Sequence, residues 1–281
     1  MSTDLLTNVH ESTPKPFRPA LRYHGGKWVL APWIIKQFPP HRIYCEPFCG
    51  AASVLLRKPR SHIEIINDLD GEVVNLFNLL RNPDDAKILA LSLALTPYSR
   101  EEFERSYQPG DSSFERARRL VCRSFFGFGS QSHNPANSNG FRASKHKPYA
   151  IEWGGIPAAI VEIAERLIGV MVERRPAREI LARYDGEDTL FFLDPPYPAA
   201  TRNCGNKGYV HEMSDADHRE LAYVAKSLTG RVILCGYPCG LYDGELYREW
   251  YRIEKPHYSN GQKGRSETTE VLWMNFQPAT A

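Results

Sequence analysis

Asp194-Pro195-Pro196-Tyr197 follows directly on the apolar run Leu190-Phe191-Phe192-Leu193. A buried strand that ends this way sets a carboxylate, a carbonyl preceding a proline and an aromatic ring at one edge of a sheet. The carboxylate and the carbonyl can each accept an N–H, and the ring can stack on a flat partner. Such a set suits an exocyclic amino group on a planar, conjugated ring such as adenine.

Two upstream segments can hold a second reactant. Leu21-Arg22-Tyr23-His24-Gly25-Gly26-Lys27 leads into a helix, and Glu46-Pro47-Phe48-Cys49-Gly50-Ala51-Ala52-Ser53 joins a short strand to another. Glycine and small residues at a strand-to-helix turn let a ligand approach the backbone amides. Asp68 ends the next strand about twenty residues after Gly50, where an acidic residue would meet ribose hydroxyls. The turn is not G-x-G-x-x-G, and alone it reads equally well as a turn without a ligand. Its order with Asp68 and D-P-P-Y gives it weight.

The elements that must position these residues alternate. Strands are expected at Arg42–Cys45, Ile63–Ile66, Val170–Glu173, Thr189–Leu193, Arg231–Cys235 and Thr269–Phe276. Helices are expected from about Ala51 to Arg57, from about Gly71 to Leu80, and from Ser214-Asp215-Ala216-Asp217 to about Leu228. The alternation predicts a doubly wound, Rossmann-like α/β sheet. Residues 83–150 break the rhythm. They read as a mainly helical insertion, with a helix capped by Ser112 and Glu115, then Phe125-Phe126-Gly127-Phe128-Gly129 and a long polar stretch. The expected organisation is a flexible tail over 1–20, a core formed by 21–82 and 151–281, and the insertion between.

A chain of 281 residues can bury a full core. A net charge of +2 does not argue for nucleic acid by itself, so the distribution of charge matters. No apolar run approaches the roughly 18 residues of a membrane span, and the first residues do not read as a secretory signal, so a cytoplasmic protein is expected. None of the six cysteines forms a C-x-x-C pair; they read as free, mostly buried thiols, and no metal is expected.

The blocks RYHGGK, EPFCGAAS, IINDLD and FFLDPPY, with Tyr209-x-His211-Glu212-Met213 and the strand Glu270-Val271-Leu272-Trp273-Met274-Asn275, closely resemble the Dam-type DNA adenine-N6 methyltransferases. The resemblance runs from about Leu21 to Phe276, and its softer features look like phage and prophage members, which include restriction-modification enzymes. It implies S-adenosylmethionine as methyl donor, S-adenosylhomocysteine as product, no metal, and double-stranded DNA as partner. It leaves a companion restriction endonuclease and the oligomeric state open. Carried over, Tyr23 and Lys27 would contact the cofactor, and Glu46, Pro47, Phe48, Gly50 and Asp194 would line its pocket. Asp68 would bind the ribose, and Leu69 would pack near the cofactor's adenine. Asp194 and the Pro195 carbonyl would hold the target N6 amino group, with Pro196 shaping the turn and Tyr197 stacking on the flipped base. Related enzymes act on cytosine N4, RNA adenine or a protein amide, and a non-catalytic DNA-binding relative is a further reading. Cytosine-N4 and protein-amide enzymes more often carry Ser or Asn where Asp194 stands.

Arg116, Arg118, Arg119, Arg123, Arg142, Lys145 and Lys147 lie between Arg116 and Tyr149 without an intervening acid, interleaved with Phe125, Phe126, Phe128 and Phe141. The patch reads either as a solvated basic helix face over core aromatics or as a surface that neutralises phosphates. The resemblance favours the second reading, with Asn137, Asn139, Arg142 and Lys145 able to reach base edges. Lys255–Arg265 is a further candidate for backbone contact, or a hairpin loop. His211 and His218 are expected to pack rather than to act as base or ligand.

Overall fold

The computed structural model describes residues 16–137, 139–202, 208–261 and 264–278. They build a seven-stranded sheet in the order β3-β2-β1-β4-β5-β7-β6. The strands are β1 (Ile43–Glu46), β2 (Ile63–Asn67), β3 (Val170–Glu173), β4 (Thr189–Leu193), β5 (Arg231–Gly236), β6 (Tyr251–Gly261) and β7 (Gly264–Met274). β1 to β5 pair in parallel, and β7 runs antiparallel to both β5 and β6. The strands expected from the sequence appear as β1 to β5 and β7. β6 was not among them, and the Lys255–Arg265 segment falls in the β6–β7 hairpin.

Alternate residues of the central strands feed two cores, as a period of two requires for a sheet covered on both faces. Tyr44, Ile66, Leu190, Phe192, Ile233 and Leu272 point into one core, and Cys45, Ile65, Phe191, Leu193, Leu234 and Trp273 into the other. The first core takes α1 (Ala31–Ile35), α2 (Ser53–Arg57), α3 (Gly71–Leu80), α4 (Pro83–Leu95), α5 (Arg100–Arg105), α6 (Ser113–Phe126), α7 (Tyr149–Gly154) and α8 (Ile156–Leu167). The second takes α9 (Ala177–Tyr184), α10 (Asp215–Ser227) and the π-helical turn Gly240–Leu246.

Local chemistry fixes the helix starts. Ser112 Oγ accepts from Glu115 N at 3.1 Å, and Ser214 and Asp217 form a reciprocal capping box. Of the helices within residues 83–150, α4 lies against α8 and α6 against α3. α8 is tied to the sheet from within. Arg166, fully buried, donates to both carboxylate oxygens of Glu64 on β2, at 2.6 and 2.9 Å, and to the Leu55 carbonyl at 2.8 Å.

Part of the segment expected as a tail is held against the rest of the chain. Phe17 N donates to Glu162 at 3.3 Å, Arg18 Nη1 to the Glu152 carbonyl at 2.8 Å, and Ala20 is buried. Residues 1–15 lie outside the described part. Cys45, Cys49, Cys122 and Cys235 are buried free thiols, Cys239 is half-buried and free, and Cys204 is outside the described residues. No helix among the described residues is long and apolar enough to cross a membrane.

Candidate active site

The chain runs β1, β2, β3 towards one edge of the sheet and then starts again at β4 beside β1. A crevice opens beyond the carboxyl ends of the strands where such an order reverses. Glu46 and Asp194 end the two strands that flank it. The cleft encloses about 860 Å³ including its open mouth, and its lining includes Tyr23, Lys27, Glu46, Pro47, Phe48, Gly50, Asp68, Leu69, Asp194 and Pro196. Segments separated by more than a hundred residues in sequence therefore meet as the residue types suggested.

The floor of the cleft is the β1–α2 turn. Gly50 adopts φ +47° and Ala52 φ +49°, so the backbone is left-handed twice within three residues. A side chain on Gly50 would also lie 2.8 Å from the Tyr23 ring. Strain of this kind is stored where a turn must bring its amides to a ligand. Asp68 braces the turn: its carboxylate accepts from Gly50 N and from Asp70 N, both at 2.9 Å. Asn67 ties the same turn to β3, donating to the Pro47 carbonyl at 2.9 Å and accepting from Arg175 N at 2.8 Å. Glu46 accepts from the Tyr44 hydroxyl at 2.7 Å and from Leu55 N at 2.6 Å. Burial pushes the Asp68 carboxyl up to about 6 and the Glu46 carboxyl up to about 7.

At the other wall, Lys27 Nζ stands 2.9 Å from Asp194 Oδ1 and donates to the Gly25 carbonyl at 2.6 Å. Lys27 and Asp194 both line the cleft. Burial raises the Asp194 carboxyl to about 6, although Lys27 pulls it down. Burial lowers the Lys27 ammonium, but Asp194 and Glu270 prevail and hold it well above its ordinary value. Tyr197 is only 4% exposed; its ring meets Tyr237 edge-on at 4.8 Å, and its hydroxyl donates to Glu270. Pro195 and Pro196 are buried at the turn.

The cleft is also lined by Tyr209, His211, Glu212 and Met213. Sequence reading noted this block without giving it a place. A side chain on Gly25, at φ +72°, would come within 2.5 Å of the Tyr209 hydroxyl, which explains a glycine there. Glu212 accepts from Gly208 N, Tyr209 N and Arg202, and so folds this segment over the cleft. His218 is on the buried face of α10, its Nδ1 3.0 Å from the Tyr242 hydroxyl.

The basic stretch divides in two. Arg116 pairs with Glu72 at 2.8 Å, and Arg118 and Arg119 with Glu115 at 2.7 and 2.5 Å. Arg123 is buried and donates to the carbonyls of His133 and Ser106, at 3.0 and 2.6 Å. These arginines tie α6 to α3 and to the segments around Ser106 and His133, and Arg123 has no surface to offer a phosphate in this arrangement. Phe125 and Phe126 are core residues. Lys145 and Lys147 are exposed, Asn137 and Asn139 are half-buried, and Arg142 lies 3.7 Å over the Tyr149 ring with Glu152 at 3.3 Å. Among the described residues no group of three or more His, Cys, Asp or Glu is placed to hold a metal.

The model of the D12 class N6 adenine-specific DNA methyltransferases matches residues 23–263. The DNA adenine methylase of Salmonella typhi is 25% identical over 290 residues, covering 95% of this chain and 98% of that protein. That of Escherichia coli K12 is 26% identical over 258 residues, covering 86% and 87%. That of Haemophilus influenzae is 28% identical over 222 residues, covering 75% of each.

Proposed function

Because the chain belongs to the D12 class N6 adenine-specific DNA methyltransferases, we propose that the cleft between β1 and β4 is where it methylates adenine, and that the residues lining it divide into a cofactor half and a target half. The observation that carries this reading is the meeting of Asp68, the Gly50 turn and Asp194 in one cleft.

The cofactor half fits S-adenosylmethionine. The Gly50 turn is a cradle that any side chain would fill, and Asp68 stands beside it as a carboxylate for ribose hydroxyls. Tyr23, Pro47, Phe48 and Leu69 supply apolar walls, and Glu46 a carboxylate on the side facing Asp194. S-adenosylmethionine supplies a methyl group already activated on a sulfonium.

The target half must make a poor nucleophile competent. The adenine amino group has its lone pair conjugated with the ring. Asp194 and the Pro195 carbonyl accept its two N–H groups, favour a pyramidal nitrogen and stabilise the positive charge that develops there. Fixing the nitrogen in line with the methyl supplies further acceleration. The base reaches the cleft only out of the duplex. Stacking on Tyr197 offsets part of that cost, by about 1–3 kcal/mol by analogy with other base–aromatic contacts. The buried ring has to be uncovered as the base enters. Lys145, Lys147 and Arg142, on the outer loop of the insertion, are proposed to meet the DNA backbone, with Asn137 and Asn139 beside them. The insertion, 83–150, is the proposed recognition segment.

The acceptor is tested directly. DNA incubated with the protein and methyl-labelled S-adenosylmethionine, then digested to nucleosides, yields label in N6-methyladenine. Label in N4-methylcytosine, in RNA only, or in protein would overturn the reading. A second expected result concerns the cofactor half. Asp68→Asn weakens S-adenosylmethionine binding about 10- to 100-fold, the loss of a charged hydrogen bond together with a slackened Gly50 turn. Calorimetric titration that returns the unmodified dissociation constant removes Asp68 from the cofactor site.

A further inference from the structure

Glu270 stands outside the lining of the cleft, yet it is hydrogen-bonded to Tyr197 and lies beside Lys27, the partner of Asp194. It precedes the apolar stretch Val271-Leu272-Trp273-Met274 on β7 and is only 2% exposed. A buried carboxylate is costly unless charge and hydrogen bonds compensate it. Here the compensation comes from the site itself. Its Oε1 accepts from the Tyr197 hydroxyl, lies 3.1 Å from Cys235 Sγ, and is 3.8 Å from Lys27 Nζ. The same Lys27 ammonium is 2.9 Å from Asp194 Oδ1. One buried ammonium thus stands between two carboxylates, nearer to the one that is proposed to hold the target.

That arrangement poses a conflict. While Lys27 is paired with Asp194, one oxygen of the carboxylate is taken and its charge partly neutralised. Holding the target amino group requires the ammonium to give way. An ammonium that simply let go would be left buried without a carboxylate to balance its charge, which is strongly unfavourable. Glu270 is the second carboxylate within reach, on the strand at the far side of β5.

We propose that Glu270 is a positioning residue for the methyl transfer: it fixes the Tyr197 ring by its hydroxyl and receives the Lys27 ammonium when Asp194 engages the target amino group. The inference rests on the role given to Asp194 above. No bond to carbon is made or broken at Glu270; the ammonium keeps its protons and exchanges one carboxylate partner for the other.

The exchange has a consequence in pH that mere packing lacks. The groups facing Asp194 are Lys27 from the amino-terminal loop, Glu46 at the end of β1, Tyr197 beside it, Tyr209, Cys235 on β5, Tyr242 and Glu270 on β7. Burial holds the Asp194 carboxyl near 6, Lys27 opposes this and the Glu270 charge adds to it. The ionised form is the one that accepts the amino group, so the rate falls as pH falls through that value. Removing the Glu270 charge lowers the Asp194 value and moves this acid limb to lower pH.

The test compares full-length protein with Glu270→Gln and Glu270→Asp, following methylation of DNA across the acid limb, with S-adenosylmethionine binding and circular dichroism as checks of the fold. Glu270→Gln is expected to lower kcat about 10- to 100-fold, the size of a misplacement of order 1 Å. KM for DNA and cofactor affinity are expected to stay within about threefold, as for a group that acts on the transition state. Its acid limb moves down in pH. Glu270→Asp keeps the charge but withdraws it; kcat is intermediate and the limb stays. A folded Glu270→Gln with unchanged kcat overturns the proposal, and so does a lowered kcat with an unmoved limb, which would mean lost packing. Should the Gln variant not fold, an unchanged kcat in Glu270→Asp overturns it instead. Asp194→Ala run alongside separates the two ideas: full activity there fails the target half itself, whatever Glu270 does.

Discussion

Replacing Asp194 by alanine abolishes methyl transfer while the protein stays folded and still binds S-adenosylmethionine. The carboxylate is proposed to be the main acceptor for the reacting amino group. Removing one preorganised partner of a developing charge costs about 10²–10³ in rate. Here the loss is larger, because the same side chain also orients the nitrogen towards the methyl, and a fall of at least about 10³-fold is expected. The fold survives because the Lys27 ammonium, which loses its partner at 2.9 Å, still has Glu270 at 3.8 Å and the Gly25 carbonyl at 2.6 Å. Cofactor affinity survives because Asp68 and the Gly50 turn lie on the other side of the cleft. Single-turnover transfer of labelled methyl to DNA measures this. A variant that keeps more than about a tenth of the rate would falsify the assignment of Asp194.

Arg166→Ala is the most damaging change expected for stability. Its guanidinium is completely buried, bidentate on Glu64 and bonded to the Leu55 carbonyl, so it joins α8 to β2 and to α2 at one point. Truncating one partner of a buried pair leaves the other charge uncompensated and costs about 3–5 kcal/mol. That is a large share of the roughly 5–15 kcal/mol by which native proteins are stable. Lys58, 2.7 Å from Glu64, keeps the carboxylate from being wholly orphaned and places the loss towards the lower end. Burial raises the Glu64 carboxyl, but Arg166 and Lys58 more than reverse this and hold it below its ordinary value. The pair's contribution is therefore present above the ordinary carboxylate range and lost as pH falls through the depressed value. Urea denaturation at neutral pH should show a lower midpoint with an unchanged slope; a midpoint equal to that of the unmodified protein would rule the argument out.

The parts of this fold that could be read in advance are those with an unambiguous period. β4, Thr189–Leu193, is buried throughout and leads directly into D-P-P-Y, so its type was legible. α3 began and ended as its apolar spacing indicated. β6 was not legible, because Tyr251–Gly261 is polar, carries Pro256 and lies at the edge of the sheet, where neither alternation nor apolar content is required. The basic stretch misled for a different reason. A run without acids looks uncompensated along the chain, yet Glu72, Glu102 and Glu115 reach it in space. Glu270 left a faint signal, an isolated acid at the head of an apolar strand. What it pairs with depended on Lys27 and Tyr197 arriving from elsewhere in the chain. The meeting of Lys27 with Asp194 was likewise beyond any spacing rule.

The packing of α4 against α8, with Trp153 Nε1 donating to the Thr96 carbonyl at 2.9 Å, brings the two ends of residues 96–153 back to nearly the same place. For a chain pinned at its base, the entropy of closure grows only with the logarithm of the length enclosed, about 0.6 kcal/mol for each doubling. The polar loop within the enclosed segment can therefore lengthen or shorten with little penalty, whereas α5 and α6, which share the first core with the sheet, have to stay. The sheet and the outer loop are in this sense free to diverge at different rates.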